Sequence, residues 1–106
     1  MTDTEVIIRL EITPEAIARV KELGMEREFD EMLEHTKQFV PNLVAISADR
    51  YDDPWEPDDP RVRIEAEHHA SIELQMKTWN EWGAWFVRRY PGAVCSHFGF
   101  SNHSPD

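Results

Sequence analysis

Cysteine is almost missing from this chain: Cys95 is the only one. No internal disulfide can form, which suits a reducing compartment. Glycine is sparse, at four residues, and none belongs to a phosphate-cradling loop. The longest apolar run, glycine allowed, is Trp82 to Val87, far short of the ~20 residues that span a bilayer. Basic side chains are few, 11 against 21 acidic, for a net charge of −10. Such a surface repels phosphate backbones and anionic headgroups, which argues against nucleic acid and membrane as partners. The opening Met1-Thr-Asp-Thr-Glu5 lacks the basic and apolar segments of a signal peptide, so a cytoplasmic protein is expected. No H-e-x-x-H spacing and no recognisable triad occurs, and no cofactor is expected.

What is present describes a globular chain. Hydrophobic content of 41% with 30% charged residues over 106 positions is enough for one α+β domain with a modest core and no staples. Glu5–Ile12 alternates, with Val6, Ile8, Leu10 and Ile12 facing one way and Ile7, Arg9 and Glu11 the other, the signature of a half-buried strand. Thr13-Pro14-Glu15 is a helix start, and Gly24 breaks the helix before a second segment carrying Phe29, Met32, Leu33, Thr36, Phe39 and Val40 on one face. Residues 43–51 and 61–68 predict two further strands, the second with Val62, Ile64, Ala66 and His68 inward and Arg61, Arg63, Glu65 and Glu67 outward. Between them, Asp52–Pro60 predicts a stiff acidic loop. A helix over Ser71–Tyr90, the Pro91-Gly92 break and a strand over Ala93–Phe100 complete the order, with 101–106 a frayed tail.

Strand, broken helix, strand, strand, helix, strand is the order of a ferredoxin-like split βαββαβ sandwich. That reading predicts a four-stranded antiparallel sheet with the helices on one face and the first strand between the third and fourth.

Three of the four tryptophans fall in the later helix. At 100° per residue, Ile72, Met76, Trp79, Gly83, Phe86, Val87 and Tyr90 make the predicted core stripe, opposite Lys77, Glu81 and Arg88. Leu74, Trp82 and Trp85 fall off that stripe and are expected to form a partner surface, with Trp55 of the acidic loop as a further contact.

Three places could carry chemistry. On the open face of the predicted sheet, Glu11, Glu65, Glu67 and His97, with His69 at the rim, combine carboxylate and imidazole for acid–base work or a divalent metal; the plainer reading is cross-strand ion pairs. Asp49, Asp52, Asp53, Glu56, Asp58 and Asp59 could collect a hard cation, but no EF-hand glycine is present and three prolines stiffen the loop. Cys95 and His97 share a strand face and could form a thiolate pair, against which stands a semi-buried structural cysteine. His68, pointing inward, reads as a hydrogen-bonded core residue.

In outline, residues 1–42 resemble the ribbon-helix-helix DNA-binding fold: strand, Thr-Pro-Glu helix, break, helix. They carry ten acidic and five basic side chains, the wrong sign for phosphate contacts. A small acidic interaction module without catalysis is expected, homodimeric through the open sheet face or the Leu74/Trp82/Trp85 surface. The rival is a small-molecule enzyme or ligand- or metal-binding protein of the dimeric α/β-barrel kind.

Overall fold

A computed structural model describes residues 8–105. The expected orientations of Val6 and Ile7 fall outside them. Eight elements follow in order: β1 (Arg9–Ile12), α1 (Pro14–Leu23), α2 (Glu26–Phe39), β2 (Leu43–Asp53), β3 (Glu56–His68), α3 (Ile72–Arg89), α4 (Gly92–Cys95) and β4 (Phe98–His103).

The local signals act as their chemistry dictates. Thr13 caps α1 by accepting the Ala16 N–H at 3.2 Å, with Pro14 in the first turn. Gly24 ends α1 in the left-handed region (φ 67°), where a side chain would be strained, and α2 starts two residues later. Ser71 caps α3 by accepting the Leu74 N–H at 3.2 Å. Asn42 takes φ 55° at the entry to β2, a conformation its short polar side chain tolerates; its amide donates to the His69 carbonyl at 3.2 Å and its own carbonyl accepts the His69 N–H at 3.2 Å.

The sheet is not the ferredoxin-like one. Its order is β1-β2-β3-β4, with β1 parallel to β2, β2 antiparallel to β3 and β3 parallel to β4. The chain is therefore two adjacent β-helix-β units joined by a long central hairpin, and β1 lies at an edge rather than between β3 and β4. Element order alone does not fix strand order: in the split arrangement each crossover skips one strand position, whereas here each lands on the adjoining strand. One apolar cluster gathers Ala16 and Val20 of α1, Phe29 and Met32 of α2, Trp82 and Phe86 of α3, and Ile46, Val62, Ile64 and Phe98 of the sheet, so the helices share one face. Two units that run antiparallel side by side, with their helices on the same face, cannot have the same hand. One crossover is left-handed, against the usual right-handed rule.

Two further expectations change. The acidic loop is mostly strand: β2 runs to Asp53 and β3 starts at Glu56. The ladder slips between Tyr51↔Arg61 and Asp53↔Glu56, so Pro57 and Pro60 fall in a bulged stretch where their missing N–H groups cost no ladder bond. The last strand also starts later than predicted. After Pro91, residues 92–95 close a helical turn, with the Val94 and Cys95 N–H groups donating to the Pro91 carbonyl at 2.9 and 3.1 Å. Ser101, Asn102 and His103 of the expected tail are instead the second half of β4, paired with β3 as far as Glu67↔His103.

Candidate functional site

The uncovered face of the sheet carries the charged side chains of β3 in cross-strand rows. Arg9, Ala45, Glu67 and His103 form one row, and Glu11, Ser47, Glu65 and Ser101 the next. Ala45 is small, so the Arg9 guanidinium passes over it and donates to Glu67 Oε2 at 3.2 Å. From the other side, His103 reaches Glu65 Oε2 through Nδ1 at 2.9 Å and Glu67 Oε1 through Nε2 at 3.2 Å. Two carboxylates therefore hold one imidazole from both sides, and only the doubly protonated ring can donate to both. Beside this cluster lies an open hollow of about 330 Å³, lined by Glu11, Thr13, Ser47, Asp49, Arg63 and Glu65 among others.

Carboxylates and an imidazole do meet on this face, but the imidazole is not His97. That residue precedes β4 and sets Nδ1 3.5 Å from Asp59 Oδ1, which also accepts from Arg19 Nη2 at 3.1 Å. His69 lies exposed just past the end of β3. His103 was missed because 101–106 read as a tail; the alternation Phe98, Phe100, Asn102 against Gly99, Ser101, His103 was the available signal. Among the described residues no group of three or more His, Cys, Asp or Glu is arranged to hold a metal ion.

The other candidates separate. Cys95 ends α4 rather than sharing a strand face with His97, and its Sγ points at the Phe86 and Tyr90 carbonyls, 3.7 and 3.5 Å away. Burial pushes its thiol pKa up, the wrong direction for a nucleophile. The hairpin carboxylates are spread along two strands and several have partners of their own: Asp49 accepts from Thr13 Oγ1 at 2.9 Å, Asp52 from Arg50 at 3.1 Å, Glu56 from Arg61 at 3.5 Å, and Asp53 from the Trp55 N–H at 2.9 Å. His68 is fully buried, with Nδ1 3.0 Å from the Pro41 carbonyl and Nε2 2.8 Å from Asn102 Oδ1, the hydrogen-bonded core histidine that the alternation of β3 predicted.

The second surface is α3, and here the expected faces are exchanged. Trp82 is 1% exposed in the core, and Leu74 and Trp85 are half-buried. Of the predicted core stripe, Phe86 and Tyr90 are buried, but Ile72, Met76, Trp79 and Val87 are 75, 61, 57 and 65% exposed. The reason is a buried polar thread. Trp82 Nε1 donates to Thr36 Oγ1 at 3.0 Å, and its ring stacks on Phe100 at 4.4 Å. Thr78, fully inside, turns its hydroxyl onto the Leu74 carbonyl at 2.7 Å. A count of apolar positions gives Thr78 no weight and so rotates the helix the wrong way. Trp85 stacks on His35 at 3.7 Å, nearly parallel. Trp55, at the hairpin tip, is 90% exposed.

Comparison with protein-family models, with curated proteins and with solved structures returns no match.

Proposed function

We propose that this chain is an interaction module without catalysis of its own, and that it works through the outer face of α3. One observation carries the reading: four large apolar side chains, Ile72, Met76, Trp79 and Val87, stand open to water on one side of a helix whose other side is already packed. Single exposed hydrophobics are ordinary, but a contiguous stripe marks a contact surface, and Trp and Met are favoured at such contacts. Among the described residues no helix is long and apolar enough to cross a membrane, so a bilayer-spanning role for α3 does not compete. With Cys95 as the lone thiol, we read the chain as a cytoplasmic protein.

Met76→Glu and Trp79→Glu test the reading. At a concentration too low for association, both should leave the denaturation midpoint in place and weaken retention on a phenyl matrix. Unfolding of both variants would mean that the stripe belongs to the core, and the reading would fall.

A second reading is supported by His103. Held by Glu65 and Glu67 beside the 330 Å³ hollow, it makes the open sheet face a candidate site for a small organic ion, or for acid–base chemistry on one. A thermal-shift screen of small organic acids and amines tests it. A shift lost in His103→Ala would favour this reading over the first; no shift with any compound would remove it.

A further inference from the structure

The occupant of the α3 stripe follows from the stripe itself. Its members Ile72, Met76, Trp79, Gly83 and Val87 are arranged so that a second α3, turned end for end about a point between Trp79 and Asn80, sets Ile72 opposite Val87 and Met76 opposite Gly83. The pattern therefore complements itself. Gly83 has nothing within 4 Å of the place a Cβ would occupy, so the chain's own packing gives no reason for a mid-helix glycine that costs about 1 kcal/mol against alanine. Opposite Met76 of another copy, that space would be filled.

Charge points the same way. A protein of net charge −10 repels its copy over most of its surface. The stripe is the exception: Ile72, Met76, Trp79, Gly83 and Val87 carry no charge, Lys77, Glu81 and Arg88 lie round the far side of the helix at 100° per residue, and Arg89 is paired with Glu31 of α2. The exposed parts of Ile72, Met76, Trp79 and Val87 amount to about 500 Å² per copy, or about 1,000 Å² across a pair, the lower bound for a specific interface. The groove beside the stripe, about 290 Å³ and floored by Ser101 and Asn102 of β4, leaves room for the partner's side chains at the rim.

We propose that the partner is a second copy of this chain, packed α3 against α3 in antiparallel two-fold symmetry centred between Trp79 and Asn80. The proposal rests on the reading of the stripe as a contact surface and names what it contacts. Sedimentation velocity over a wide concentration range should show a reversible dimer that Trp79→Glu converts to monomer. In a Cys95→Ser background, Asn80→Cys should oxidise to a disulfide-linked dimer, and Glu11→Cys, on the open sheet face, should not. A wild type that stays monomeric at the highest concentration overturns the second copy but leaves the stripe open to another chain. A dimer that survives Trp79→Glu and links through Glu11→Cys overturns the α3 seam and moves self-association to the open sheet face.

Discussion

Trp82 and Trp79 stand less than one turn apart on α3, and their surroundings could hardly differ more. Trp82 is sealed among Thr36, Phe86 and Phe100, with its indole N–H satisfied by a buried hydroxyl. Trp79 lies more than half exposed beside Met76 and Asn80. Both faces of the helix are apolar, so hydrophobicity does not choose between them. A specific polar partner does: only Trp82 has a buried acceptor within reach, and a buried indole N–H without one is costly.

The contrast is broken most directly by truncating each ring. Trp82→Ala should cost about 3–5 kcal/mol, the range for large-to-small changes in a packed core. In the monomer at low concentration, Trp79→Ala should stay within about 0.5 kcal/mol, as surface changes do. Chemical denaturation of the two variants measures both. Equal losses would erase the distinction between the faces.

Thr36→Val sharpens the comparison by removing only the polar thread. The hydroxyl accepts from Trp82 Nε1 at 3.0 Å and donates to the Met32 carbonyl at 2.7 Å. Valine keeps the volume and strands the indole N–H, so a loss of about 1–3 kcal/mol is expected by denaturation. A neutral result would mean that packing, rather than the hydrogen bond, selects the face.

This thread also explains what was legible in the sequence. Strand and helix types were readable because alternation and capping are local. Val62, Ile64, Ala66 and His68 point inward as their spacing predicts, and Gly24 breaks the first helical stretch where its conformational freedom is used. Strand order was not readable, because β1 and β4 alternate alike wherever they pair, and the choice between adjoining and skipped strands is made by long-range packing. The α3 face was misread because Thr78 and Thr36, polar by composition, are core residues by hydrogen bonding. On the open sheet face the alternation of β3 placed Glu65 and Glu67, but the imidazole beside them is that of His103, in a strand that continues past the expected end.

At the far end of the inner face, Tyr90 ties α3 to α2. Its hydroxyl donates to Glu31 Oε1 at 2.6 Å, and Arg89 donates to Glu31 Oε2 at 2.8 Å. The Tyr90 hydrogen bond, with Arg89 beside it, holds the Glu31 carboxyl below its ordinary value, and burial together with Glu31 pushes the Tyr90 hydroxyl well above its own. A carboxyl lowered in the folded state contributes stability that is fully present above its unfolded value and is lost as pH falls through the lowered one. Tyr90→Phe should cost about 1 kcal/mol at neutral pH, modest for a charged acceptor because Glu31 is partly open to water. Titration by NMR should show the Glu31 carboxyl moving up towards the ordinary range.

The smallest effect is a pH dependence seated at Trp85, the third indole of the same helix. His35 is stacked between Trp85 and Phe39, at 3.7 and 5.3 Å, with Nε2 buried and without a hydrogen-bond partner. Burial holds its pKa below the usual 6.5. Between the lowered value and the ordinary one, the unfolded chain takes up a proton there that the folded chain does not. Stability from this site is therefore full above 6.5 and declines as the pH falls through that window. His35→Phe keeps an aromatic ring in the stack and removes the titrating group. Denaturation midpoints measured across the window should lose part of their slope in the variant and stay level with the wild type at neutral pH. An unchanged slope would mean that protonation of His35 is as easy folded as unfolded, and that Trp85 packs no more tightly than an exposed ring.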